Sequence, residues 1–229
     1  MAISDNFKPK LSIPKLLLSL ARHISPDSVL FAFELLDFLS RILPRFLKPP
    51  GPYEVLDYDV TLDLRDKTGK RADYIKRKKV RILQDHIRAI DDHAWGDGNP
   101  VARYEAKPGA LGPRNELGSR YITPIVFQRE HKKGDVVTLA VRRQFLDGFT
   151  GQREWLEAEV SHPTKRLRLH VIFPMGRHCK WARVQGHYYG QPVVLDKRHF
   201  SLLPSGQQRV SYELKKPRLY ETYSLQWAW

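Results

Sequence analysis

From Pro52 onward the apolar residues recur with a period of two, and the alternation runs to the last residue. Period two places large side chains on one face of an extended strand. The stretch Arg218 to Trp229 shows it most plainly. Leu219, Tyr223, Leu225, Trp227 and Trp229 share one parity, with Glu221 the one polar residue among them. Tyr220, Thr222, Ser224, Gln226 and Ala228 take the other. A strand with Trp227 and Trp229 on its apolar face is expected to be built into a core.

The alternation starts where a helical pattern stops. Pro14 opens a short helical stretch over Lys15 to Ile24. Ser25 then stands as a cap, Pro26 fills the first helical position and Asp27 complements the positive helix end. The run that follows, up to Pro44, is apolar on nearly every side, with Glu34, Asp37, Arg41 and Arg45 gathered in one stripe. Lys48-Pro49-Pro50-Gly51-Pro52 forms a stiff boundary. Residues 1–50 are therefore expected to form a two-helix unit, and 51–229 a β domain.

Within that β domain, Leu56 to Leu64 and Arg71 to Leu83 read as a hairpin around Asp66-Lys67-Thr68-Gly69. Pairing Asp59 with Arg77 and Asp57 with Lys79 sets acids against bases, and Leu62 falls beside Tyr74. Lys76 and Lys78 then land on the apolar face, which predicts a bulge or an early end to pairing. Further strands are expected over His86–Ile90, Val101–Glu105, Arg120–Arg129, Val136–Phe145 and Gln152–Val160. Others follow over Arg166–Phe173, Trp181–Tyr189 and Gln207–Leu214. Short strands without intervening helices predict a mainly β fold: an antiparallel β-sandwich, or a barrel-like closure of it.

Charge narrows the choice of partner. The chain of 229 residues carries 39 Lys and Arg against 25 acids, a formal net charge of +14. That balance favours acidic partners. Two basic regions stand out: Lys76, Arg77, Lys78, Lys79 and Arg81, and a second containing Lys180 and Arg183. Between Lys165 and Arg218 there are twelve basic residues and only Asp196 and Glu213 as acids. Aromatics interleaved there, Trp181 among them, suit single-stranded nucleic acid, although β cores and solvated faces use the same residues.

Chemistry finds little purchase. Cys179 is the sole cysteine, which excludes an intramolecular disulfide and a Cys-rich zinc site. Its neighbour His178 points to the opposite face of an extended chain. The Asp91–Gly98 stretch lacks the oxygen spacing of an EF-hand and reads as a turn anchored by Trp95. Glu157 and Glu159 alternate with Leu156, Ala158 and Val160 as a solvated face would. No phosphate loop, nucleophile elbow or zinc-protease helix occurs. No catalytic residue, cofactor or metal is expected.

The sequence thus predicts a non-enzymatic interaction module of a larger cytoplasmic assembly. It would dock a protein partner or a second copy through Leu35, Leu36, Leu39 and Leu43 of the helices, and an acidic surface through its basic β face. Nucleic-acid binding by that face is the alternative, and membrane association through the helices a further one. No signal peptide is read at the start, and the longest apolar region holds several charges, against a membrane span.

Overall fold

The computed structural model describes residues 51–188 and 190–229, so the two expected helices lie outside the described residues. What is described is mainly β. The strands are β1 (Tyr53–Leu64), β2 (Arg71–Ile82), β3 (Ile87–Ala94), β4 (Asn99–Lys107) and β5 (Ala110–Leu111). They continue with β6 (Asn115–Leu117), β7 (Arg120–His131), β8 (Val136–Leu146), β9 (Arg153–Val160) and β10 (Arg166–Phe173). The last are β11 (Trp181–Gly186), β12 (Val193–Val194), β13 (Phe200–Leu202), β14 (Gln208–Lys215) and β15 (Glu221–Ala228). No helix among the described residues is long and apolar enough to cross a membrane.

Three sheets result. A seven-stranded sheet runs β13-β14-β10-β1-β2-β8-β4, and a four-stranded sheet runs β12-β11-β15-β9. The third is β3-β7-β5, with β6 also on β7. Apolar residues of all three meet in one sandwich-like core: Leu62 and Leu169 from the first, Leu156 and Leu225 from the second, Ile90 and Ile125 from the third. Trp227 sits at its heart, its ring 5.9 Å from Phe173 and 6.1 Å from Phe149.

The β1–β2 hairpin has the register expected from charge pairing: Asp57 faces Lys79, Asp59 faces Arg77 and Leu62 faces Tyr74. Its turn is fixed by the Asp66 carboxylate, which accepts from the backbone N–H groups of Thr68 and Arg71 at 2.9 and 2.8 Å. Gly69 is required there. It sits at φ +74°, and a Cβ would lie 1.7 Å from the Phe149 carbonyl oxygen.

Two expectations are corrected. Pairing does not break at Lys76 and Lys78; the irregularity lies between Val55 and Asp57 on the partner strand. It shifts parity so that Tyr53 and Val55 are buried as well as Tyr58 and Val60. The two lysines stay on the inner face because Lys76 finds a carboxylate there. Secondly, the sheets are not wholly antiparallel. β10 runs parallel to β1, Tyr58 opposite Leu167 and Leu62 opposite Val171. The chain returns from the four-stranded sheet through Ser161–Lys165 and enters beside Val55, which bridges Thr164. Side-chain alternation is the same in either direction, so periodicity cannot distinguish them.

Candidate functional site

The seven predicted anion contacts separate into three places. Lys76 and Lys78 point into the body. Lys76 pairs ionically with Asp92, and both are buried. Tyr104 donates its hydroxyl to the same carboxylate at 2.5 Å. Burial pushes the Asp92 carboxyl up, but Lys76 and Arg143 outweigh it and hold the group at about 2. Asp91 and Asp92 therefore belong to a strand and not to a turn, and Asp92 is committed to holding a buried lysine. Among the described residues no group of three or more His, Cys, Asp or Glu is placed to hold a metal.

Arg77, Lys79 and Arg81 lie on the outer face of the seven-stranded sheet, opposite the acids of β1. Arg81 meets Glu54 at 2.6 Å. Asp57 also takes a bidentate contact from Arg166, both bonds at 3.0 Å, and one from Arg168 at 2.7 Å. Asp59 binds Arg168 at 3.2 Å and lies 3.5 Å from His170. A column of acids flanked by columns of bases is largely self-satisfied. The basic run of β2 is thus a solvated, internally matched surface and a buried pair, not one patch.

Lys180 and Arg183 lie elsewhere, with different company. On the outer face of the four-stranded sheet, Arg183 stands opposite both Val194 and Gln226, and Gln226 stands opposite Trp155. In the next row Trp181 faces Ala228, which faces Arg153. Arg183 donates Nε to Gln226 at 2.8 Å, and its guanidinium lies 5.9 Å from the Trp181 ring centroid. Lys180 reaches the Trp229 carbonyl oxygen at 3.4 Å. Trp155, Trp181 and Val194 are 46%, 36% and 74% exposed. Two tryptophans beside Arg153 and Arg183, with a short valine edge strand, make an aromatic and basic platform open to solvent.

The same sheet face is closed at its other end. Trp95 donates Nε1 to Glu157 at 2.8 Å, and His187 contacts the other Glu157 oxygen at 3.0 Å. Arg120 pairs with Glu159 at 2.9 Å and covers the Trp95 ring at 4.9 Å. Glu157 and Glu159 are therefore half-buried ties between β9 and the third sheet, not a solvated face. The open platform ends where these ties begin.

Trp155 is a site residue that the charge pattern did not mark. The signal was present: it shares the polar parity of β9 with Glu157 and Glu159, where a tryptophan has no core to enter. Cys179, by contrast, is a buried structural thiol. Burial pushes it up to about 12, and Sγ contacts the Trp181 carbonyl oxygen at 3.1 Å. Leu35, Leu36, Leu39 and Leu43 lie outside the described residues.

The sequence matches no family model, and no curated protein matches it. Among solved structures the chain is similar to an M1 zinc metallopeptidase from Deinococcus radiodurans. A point mutant of that enzyme bound to a Tyr-Ser-Ala substrate matches with a TM-score of 0.48 and 9% identity, over 76% of this chain and 42% of that one. The metallopeptidase without the mutation matches with a TM-score of 0.45 and 10% identity over the same shares. The chain spans less than half the length of those structures.

Proposed function

We propose that this protein is a non-enzymatic interaction module that presents the open platform of its four-stranded sheet to an acidic segment of a protein partner. The observation that carries this is the row Trp155, Gln226, Arg183 and Val194, exposed at Trp155 and Val194 and half-buried between them, beside the exposed Trp181 and Arg153. Exposed Trp and Arg in one patch are the residues that dominate binding energy in protein interfaces. The net charge of +14 selects an acidic occupant and disfavours a second copy, whose Arg153 and Arg183 would meet their own equivalents.

A single-stranded nucleic acid is the rival occupant, since Trp and Arg also stack bases. A polynucleotide needs a basic groove that follows its backbone. Here Glu157 and Glu159 interrupt the face after two rows, and the acids of β1 neutralise the larger sheet. A compact acidic epitope fits better.

Co-purification of the full chain from its native host after nuclease treatment tests the proposal. An acidic protein should accompany the wild-type chain and be lost from the Trp155→Ser/Arg183→Glu variant. A partner kept equally by both, or one released by nuclease, contradicts it.

A further inference from the structure

The inner lysines mark a second feature, separate from the platform. A cavity of about 220 Å³ opens between the inner face of β1–β2, the edge of β3 and the end of β9. Tyr53, Tyr58, Lys78, His93, Glu159 and His162 line it. We propose that it binds a small, planar, uncharged aldehyde, which Lys78 captures as an imine.

The walls account for the planar body. His162 stacks on Tyr53 at 4.0 Å and 14°. The Lys78 ammonium nitrogen lies 4.5 Å from the centroid of the Tyr58 ring. Among the described residues that ring is its direct contact; no carboxylate pairs with it. Of the acids nearby, Asp92 is engaged by Lys76 and Tyr104, and Glu159 by Arg120 at 2.9 Å with His93 at 3.9 Å, while Asp91 also lines the cavity. The carboxylates of the wall disfavour an anion and the Lys76 and Lys78 nitrogens disfavour a cation, which favours a neutral ligand.

The amine is also in the right state. Burial, together with the charge of Lys76 two residues away on the same strand face, brings Lys78 down to about 7, although Asp92 and Glu159 pull the other way. A lysine desolvated beside another cation is how an amine becomes nucleophilic at neutral pH. His162 is kept neutral, down to about 4, by burial and then by the charges of Lys78 and His93. Its Nδ1 faces the Ser161 hydroxyl at 3.1 Å.

The step balances without a further reagent. The free amine nitrogen attacks the carbonyl carbon, forming C–N while the carbonyl electron pair moves to oxygen. Both amine hydrogens then leave with that oxygen as water, and C=N closes. The product is an imine on Lys78, reversible by hydrolysis.

Benzaldehyde and cyanoborohydride, applied to the full wild-type chain in limiting amounts at pH 7, test this by peptide mapping of the trapped secondary amine. Lys78 should be labelled about tenfold or more faster than any other lysine, because ordinary lysines are almost wholly protonated there. Its labelling rate should rise with a midpoint near 7, and excess benzyl alcohol should slow it selectively. Label spread over exposed lysines with Lys78 lagging, or a rate that climbs only near pH 10, overturns the proposal. So does fast labelling that benzyl alcohol leaves unchanged, since that is a reactive amine without a binding cavity. Lys78→Arg and Lys78→Met should each lose the focal label while keeping the circular dichroism spectrum of the folded wild-type chain.

Discussion

Lys76 on β2 and Asp92 on β3 are in direct ionic contact inside the body, with 6% and 4% of their side chains exposed. The pair ties the seven-stranded sheet to the third sheet. Removing one partner leaves the other as an uncompensated buried charge, which costs about 3–5 kcal/mol. Lys76→Met should therefore lower the unfolding free energy read from denaturant titration by that amount. The double change Lys76→Met/Asp92→Leu should recover most of it, because an apolar pair of similar volume replaces the ions. Equal losses in single and double variants would mean that the pair does not hold the sheets together.

Acid lability should have two stages. The His162 ring is lowered from 6.5 to about 4, so the unfolded chain takes up its proton first and stability falls as pH drops through that window. His162→Phe keeps a ring against Tyr53 and should flatten this loss. The Asp92 carboxyl is lowered from 3.8 to about 2, so its contribution is complete above about pH 4 and disappears as pH falls through about 2. Unfolding midpoints at pH 7, 5 and 4 read the first stage directly. An identical slope in wild-type and His162→Phe proteins would assign it to another group.

At neutral to alkaline pH the other inner lysine acts with the same sign. Lys78 is lowered from 10.5 to about 7, so the unfolded chain holds more protons between those values and stability rises with pH across them. Lys78→Met should abolish that rise. If the slope between pH 7 and 10 survives the substitution, Lys78 is not the group being desolvated.

Trp227 and Trp155 give opposite expectations from one sheet. Trp227 is 1% exposed and packed against Phe149 and Phe173, so Trp227→Ala should cost about 3–5 kcal/mol. Trp155 is 46% exposed on the far face, and Trp155→Ser should stay within about 0.5 kcal/mol of wild type. Thermal unfolding of both variants separates a core role from a surface role. Comparable destabilisation would place Trp155 in the fold and not in a binding face.

Much of the fold was legible because alternation carries it. The limits of β8 and β10 and the hairpin register of β1–β2 lie within one residue of expectation. In the last strand Leu225, Trp227 and Trp229 are buried as read, and so is Glu221, whose carboxylate accepts from the Tyr188 backbone N–H at 3.0 Å. Leu219 breaks the pattern at 36% exposure because it precedes the strand. The short strands β5, β6, β12 and β13 were not read, since two or three residues show no period.

The candidate site was less legible, for a physical reason. Lys76 looked like surface charge because its counter-ion, Asp92, comes from a different sheet, and Lys78 because the Tyr58 ring beneath it is read only as core. The matching of Asp57 by Arg166 and Arg168 depends on the parallel β1–β10 pairing, which alternation cannot reveal. Lys180 and Arg183 were picked out for charge, whereas Trp155 is two strands away and 25 or more positions earlier in the chain.

Photo-crosslinking in the native host tests the central claim most directly, with benzoylphenylalanine placed at Trp155 in one full-length chain and at Arg77 in another. The platform should yield a crosslink from position 155 to an acidic protein, weakened by Arg183→Glu, and position 77 should yield none. A crosslink from position 77 to the same protein with silence at 155, or crosslinks from 155 to nucleic acid alone, would contradict it.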